Sequence, residues 1–235
     1  MSSSWVHEHR FPDSTALVHA LSGEIKVDLE EAIAARGAAS LVVSGGKTPI
    51  RLFQQLRAEQ LDWSKVWITL ADERWVETNS DASNERLVRE HLLAGCAAAA
   101  HFVGLKNPAA TPEAGADWAT RALTRVPHPY DVLVLGMGED GHTASLFPGS
   151  LALSRGMDLS LPPACIAVNA LTAPHARISL NLSALLDSRR VILHVEGVAK
   201  WDVYQRAKAP GQAAELPVRG VLHQKEVPVD VFWAP

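Results

Sequence analysis

Two short stretches have the residue types and spacing of ligand-binding loops. Residues 42–50 read VVSGGKTPI and contain Gly46-Lys47-Thr48, the tail of a nucleotide phosphate loop. A loop that wraps a triphosphate needs glycine five residues before Gly46. Leu41 stands there, inside an apolar run, so the turn is too short for ATP. Gly136-Met137-Gly138-Glu139-Asp140-Gly141 matches GxGxxG after another apolar run. A dinucleotide site also needs an acid at the end of the next strand to hold the ribose. Asp158 has roughly that separation but precedes the next apolar run, and Phe147-Pro148-Gly149 ends any intervening helix early. Neither stretch reads as a nucleotide site.

Other chemistry remains open to both. Ser44-Gly45-Gly46 before a helix start would present free backbone N–H groups and a positive dipole end, which suits one phosphate monoester. A tight strand-to-helix turn without ligand accounts for the same residues. His142 follows the second glycine turn directly. Histidine titrates near neutrality, where base strength and availability balance, so it is a candidate general base. A histidine satisfied by turn carbonyls is the alternative. Asp140 could orient the imidazole or stabilise its cation, or shape the turn with its own side chain. Glu139 is expected to be exposed. His7 and His9 would share one face of an exposed edge strand, and the histidines form no metal constellation.

These residues need a frame to bring them together. Apolar runs predict strands at Ala39–Val43, Val66–Leu70, about His101–Leu105, Asp131–Leu135, Cys165–Ala170, Arg177–Leu182 and Val191–Val195, with a last strand in VDVFWAP. Thr48 reads as an N-cap with Pro49 first in a helix carrying Leu52, Phe53 and Leu56. Ser83 caps a helix with Leu87, His91 and Leu92, and Gly95 lies beyond its end. Thr111-Pro112-Glu113 starts another helix, running to about Val126. The alanine-rich Ala94–Ala100 reads as a helix end. Unbroken apolar strands separated by helices imply an α/β fold with a mainly parallel sheet covered on both faces. One domain over residues 1–235 is the simplest organisation. Ligands of such sheets bind beyond the carboxyl ends of the strands, so SGGKTP, ADERWV and GMGEDGHTAS should converge on one crevice.

Composition narrows the class. A net charge of −4 leaves no electrostatic footprint for nucleic acid. No apolar run approaches the ~20 residues that span a membrane. MSSSWVHEHRF lacks the charged-then-apolar order of a signal peptide. Cys96 and Cys165 are the only cysteines, which fits a reducing, cytoplasmic setting without a disulfide framework.

VVSGGKTP, then LADERWV with Ser83-Asn84-Glu85, then LGMGEDGHTASLFPG resemble, in this order, the 6-phosphogluconolactonase family, within the glucosamine/galactosamine-6-phosphate isomerase superfamily. PHARISLNLSALLDSRRVILHVEGVAKWDVY is similar to the same family, and the resemblance spans about residues 8 to 225. It implies a three-layer α/β sandwich with a Rossmann-like sheet of the sugar-phosphate isomerase type. It implies hydrolysis of 6-phospho-D-glucono-1,5-lactone, a step of the oxidative pentose phosphate pathway, without metal or organic cofactor. The expected partner is a small-molecule sugar phosphate, with no nucleic acid or membrane, and the expected state is a monomer or weak dimer. By resemblance His142 is the general base, with Asp140 beside it. Arg74 is the active-site arginine, for the oxyanion or the ring hydroxyls. Asp72 would position sugar hydroxyls or Arg74. The substrate phosphate falls to the amides of Ser44, Gly45, Gly46, Lys47 and Thr48, with Arg177 as a planar fork and Lys200 as a point charge. The Lys47 side chain is free to point to solvent.

Two other readings compete. Amino-sugar-phosphate isomerases or deaminases have a GHIAFNEPG-like stretch with an acid just before the proline. Phe147 occupies that place here, and Arg74 stands where those enzymes usually have an aromatic. A non-catalytic sugar-phosphate-binding regulator usually adds a helix-turn-helix domain, for which this chain has no spare length or basic segment.

Overall fold

The computed structural model describes residues 5–169 and 174–235. Along them run β1 (Val6–Arg10), β2 (Ala39–Val43), β3 (Val66–Leu70), β4 (Asp72–Arg74), β5 (His101–Val103), β6 (Val132–Leu135), β7 (Cys165–Val168), β8 (Arg177–Leu180), β9 (Val191–Glu196) and β10 (Val229–Ala234). The helices are α1 (Ser14–Arg36), α2 (Ile50–Leu56), α3 (Asn84–His91), α4 (Pro112–Leu123), α5 (Leu153–Gly156), α6 (Leu182–Leu186), α7 (Val198–Lys208) and α8 (Arg219–Leu222). Seven strands make a parallel sheet in the order β1-β10-β9-β6-β2-β3-β5, flanked by helices. The central strands β2 and β6 are buried at every residue, as strands covered on both faces must be. The sheet therefore accepts Leu41, Val42, Leu133 and Val134 without polar alternation.

The longest helix explains much of the packing. Asp13 caps α1 by accepting the Ala16 N–H, and Gly37 closes it in the left-handed conformation at φ 79°. Leu17, Leu21, Ile25 and Leu29 recur every four residues along it, and all four are fully buried. Each such side chain contributes about 1.5–3 kcal/mol relative to exposure, so Leu21→Ala would cost about 2–5 kcal/mol.

Several expectations from sequence are corrected. The strands at Cys165 and Arg177 exist but do not join the parallel sheet; with β4 they form an antiparallel sheet in the order β4-β8-β7. β8 stops at Leu180 because Asn181 turns the chain, its side chain accepting the N–H groups of Ala164 and Ala184 and so starting α6. Ala170, the expected end of the earlier strand, lies outside the described residues, as do residues 1–4. Thr48 is not an N-cap: α2 begins at Ile50 behind Pro49, with no side-chain cap. The Thr48 hydroxyl instead accepts a hydrogen bond from Lys200 Nζ at 3.3 Å. Directly after β3, Asp72–Arg74 forms a strand of its own that pairs with β8. The alanine-rich stretch forms a 3-10 helix, Gly95–Ala99. The edge-strand expectation for His7 and His9 holds, because β1 is the outer strand beside β10.

Candidate active site

The glycine turn after β6 is built around one acid–histidine pair. His142 Nδ1 lies 2.5 Å from Asp140 Oδ1, and the His142 backbone N–H donates to the same oxygen at 3.1 Å. An ionised carboxylate can only accept, so Nδ1 carries a proton, and in the neutral ring Nε2 keeps its lone pair. Burial works against the Asp140 carboxylate, but the hydrogen bonds from the His142 ring and backbone outweigh it and hold its pKa below the ordinary value. Gly138 makes room for the pair. A Cβ there would sit 2.3 Å from His142 Nδ1 and Cε1 and 2.6 Å from Asp140 Oδ1. The Phe147 ring backs the imidazole at 4.2 Å between centroids. From behind, Val218 N–H donates to Gly141 O at 2.9 Å, and Leu216 fills the space a Gly141 Cβ would need. Glu139 is exposed, as expected.

A second cluster comes from the antiparallel sheet. Asp72, on β4, is 4% exposed and accepts the Ser145 hydroxyl at 2.5 Å. Ala144, just before that serine, is the only non-glycine residue among those described with positive φ, at 47°, a strained conformation of the kind found at functional sites. Arg177 Nη1 approaches Asp72 at 3.6 Å, while Arg74 lies directly across from Arg177 in the strand register. Asp72 is thus the partner of Arg177, whereas Arg74 donates to the Ala82 carbonyl at 2.9 Å. Burial draws the Arg177 guanidinium below its usual pKa; Asp72 opposes this and the like charge of Arg74 adds to it. Two partly buried cations facing one another favour an anionic or electron-rich guest. Arg177 also lies over the Phe147 ring at 5.0 Å, which places it on the His142 side of the cleft.

The loop 44–49 forms the opposite wall. Gly45 packs against Asn84 so closely that a Cβ would fall 1.8 Å from Asn84 Oδ1, and Gly46 adopts φ 95°, a region open mainly to glycine. Lys200, in the first turn of α7, reaches this loop through Thr48. Lys47 is exposed at the rim. α2 has only seven residues, so charge on this wall comes from loop amides and Lys200 more than from a helix dipole.

Ten of the eleven candidate site residues, all but Asp140, line one cleft of about 200 Å³. Asp140 stands behind His142. Three further residues escaped the sequence reading. Asn84 lines the cleft and donates to the Asp72 carbonyl at 2.9 Å. Glu73, fully buried, accepts the backbone N–H groups of Arg74, Asn84 and Glu85, each at 2.7 Å, and the Ser83 hydroxyl. It locks the start of α3 beside the cleft; burial pushes its carboxyl upward and these donors restrain the rise. His194, 2% exposed on β9, also lines the cleft. The signal for Asn84 and Glu73 was their neighbourhood in ADERWV and Ser-Asn-Glu; His194 reads as an ordinary strand residue.

Buried atoms without a hydrogen-bond partner among the described residues include Ser44 Oγ, Arg74 Nε, Asn84 Oδ1, Arg177 Nε and His194 Nδ1, all on residues lining this cleft. Unpaired buried polar atoms are costly. Their concentration here marks a site built to be completed by a polar ligand. The described residues contain no group of three or more side chains placed to hold a metal ion, and no helix long and apolar enough to cross a membrane.

Comparisons with known proteins agree with this architecture. The model of the family of glucosamine-6-phosphate isomerases and 6-phosphogluconolactonase matches residues 12–233. A 6-phosphogluconolactonase of Rhizobium meliloti is 44% identical over 227 residues, covering 97% of this chain and 98% of its own. The crystal structure of a 6-phosphogluconolactonase from Shewanella baltica superposes with a TM-score of 0.95 at 51% identity, over 98% of each chain. A monomeric glucosamine-6-phosphate deaminase shares the fold at 14% identity, with a TM-score of 0.79 over 97% of each chain. The chain belongs to the family of glucosamine-6-phosphate isomerases and 6-phosphogluconolactonases.

Proposed function

From membership of that family we infer that this chain is an enzyme that hydrolyses 6-phospho-D-glucono-1,5-lactone to 6-phospho-D-gluconate, the second step of the oxidative pentose phosphate pathway. Relatives at this identity and coverage are named for that reaction. The observation that carries the chemistry is the Asp140–His142 pair, which in the neutral ring leaves Nε2 unprotonated beside a cleft lined by unpartnered polar atoms.

The lactone carbonyl carbon is the electrophile. His142 Nε2 takes a proton from water as the oxygen attacks that carbon. Asp140 holds the tautomer and stabilises the imidazolium. The carbonyl oxygen becomes an oxyanion, for which Arg74 is the donor. As the ring C–O bond breaks, the proton on His142 passes to the departing ring oxygen, and 6-phosphogluconate remains. Asp72, fixed by Ser145 and Arg177, accepts from sugar hydroxyls. The phosphate lies against the loop from Ser44 to Thr48 with Lys200, and Arg177 contributes its charge from the far wall. Phe147, packed on His142, stands where ring opening of an amino sugar would call for a carboxylate, so the same site favours lactone hydrolysis. The reading places one catalytic domain, as a monomer or weak dimer, in the cytoplasm.

The test is a coupled assay with fresh lactone, corrected for spontaneous opening. The protein should accelerate lactone loss; no acceleration overturns the reading. Lys200→Ala should raise KM about tenfold to a hundredfold, the worth of one charge-assisted hydrogen bond. It should leave hydrolysis of unphosphorylated gluconolactone unchanged. An unaltered KM for the phosphorylated lactone removes Lys200 from the phosphate site.

A further inference from the structure

His194 is the one buried titratable residue of the cleft to which the mechanism above gives no part. Its Nε2 lies 2.9 Å from Glu196 Oε1, and Glu196 accepts the Ser14 hydroxyl at 2.5 Å through its other oxygen. The bond to His194 is the main reason the Glu196 carboxyl lies below its ordinary value. Glu196 is therefore ionised and can only accept, which puts a proton on His194 Nε2. Nδ1 then offers a lone pair. It is buried and has no partner among the described residues, although the ring lines the cleft together with Thr48 and Lys200. A buried acceptor beside Lys200 and the loop amides has no match in a phosphate dianion, which also presents only lone pairs. A proton between them resolves the conflict.

We propose that His194 binds the substrate's phosphate through one shared proton, carried either as imidazolium Nδ1–H donating to a phosphate oxygen or as a phosphate O–H donating to Nδ1. Glu196 and Ser14 are positioning residues that hold the ring. The proton comes from solvent above the second phosphate pKa of about 6, and no covalent bond changes. The charged groups around the ring are Glu196 on its own strand, Lys200 on α7, Lys47 at the rim and Arg51 near Glu196; on the same face of the sheet β6 carries Val134 and β10 carries Phe232. The inference rests on the phosphate lying at the Lys200 end of the cleft.

The experiment is calorimetric titration of 6-phosphogluconate into the protein at pH 8, in two buffers of different ionisation enthalpy. The wild type should take up about one proton per ligand bound. His194→Leu should abolish the uptake and raise KM for the lactone roughly tenfold or more. His194→Asn, which keeps a polar atom near the Nδ1 position, should recover part of the KM but none of the uptake. Hydrolysis of unphosphorylated gluconolactone should be unaffected in both. Wild-type binding and turnover with no proton uptake, or uptake that survives in either variant, overturns the role of His194 and leaves the lactonase reading intact. A wild type that neither binds 6-phosphogluconate nor hydrolyses the lactone overturns both. Should His194→Leu fold poorly, His194→Asn and Glu196→Gln decide, the latter expected to weaken uptake through the ring's orientation.

Discussion

The two ends of the parallel sheet treat buried polar groups in opposite ways. At the carboxyl ends of the strands, five cleft residues carry buried atoms without partners among the described residues. At the amino ends the charges are saturated. Asp131, just before β6, accepts the Ser40 backbone N–H at 2.8 Å, the Ser40 hydroxyl, and ion pairs from Arg36 and Arg189. Arg190, just before β9, spreads its guanidinium over Glu24, Asp28 and Asp230 at 2.5–2.8 Å. A groove of about 500 Å³ runs between these residues, larger than the candidate cleft of about 200 Å³. None of its lining residues carries an orphaned atom among those described. Size therefore does not distinguish a binding site from a structural groove here; unmet hydrogen-bonding capacity does. One end of the sheet spends its charges on holding strands and helices together, and the other keeps them for a guest.

The comparison predicts that mutations at the two ends split cleanly between activity and stability. The largest effect belongs to His142→Ala. It should lower kcat/KM by about 10²–10⁴-fold, as expected for loss of a general base, and leave the urea midpoint close to that of the wild type. His142 is held by its own turn rather than by the core, so little packing is lost. Near wild-type kcat/KM in this variant would remove His142 from the chemistry. A large fall in stability would instead show that the cleft end is structural after all.

Asp131→Ala tests the other end. Its removal leaves the Ser40 N–H without its acceptor and two arginines without their shared carboxylate. The cost should be about 1–3 kcal/mol of unfolding free energy, read from urea denaturation, with kcat and KM unchanged. A variant that loses activity in its folded state would mean that the amino end communicates with the cleft and that the division drawn here is false.

The same division governs what could be read from sequence. The cleft's principal groups stand in contiguous motifs, because a glycine turn, its acid and its histidine must be local to form a 2.5 Å pair. The central strands were legible as apolar runs for the same local reason. What escaped depends on distance along the chain. His194 looks like any residue of a buried strand until Ser14, 182 positions away, is seen to anchor Glu196. The partners of Arg190 lie 40, 162 and 166 positions off, so no window of sequence displays the clamp. Arg177 stands out in its own motif, but its place beside Asp72 and opposite Arg74 comes from β4–β8 pairing. That antiparallel pairing is invisible in an apolar run, which fixes a strand but neither its sheet nor its direction. Thr48 shows the converse: its sequence has every mark of a cap, and a tertiary donor, Lys200, takes the hydroxyl instead.

The smallest expected effect is also the most specific, and it concerns a carboxylate–histidine pair at the structural end. Asp230 meets His9 Nε2 at 2.9 Å and Arg190 Nε at 2.8 Å. Burial works against its ionisation, but His9 and Arg190 outweigh it and hold its carboxyl below the ordinary value. A folded pKa below the unfolded one, about 3.9 for aspartate, gives stability that is present in full above that value. The stability is lost as pH falls through the folded pKa. Asp230→Asn should therefore cost about 1 kcal/mol or less at neutral pH, since Arg190 keeps Glu24 and Asp28. It should also flatten the fall of the urea midpoint between about pH 5 and pH 3. An unchanged acid slope would detach Asp230 from the acid lability of this edge. Asp140 is likewise a carboxylate held below its ordinary value by a histidine, yet its partner's second nitrogen is left free for chemistry. Asp140→Asn should therefore be read in kcat, where Asp230→Asn is read only in the acid limb of stability.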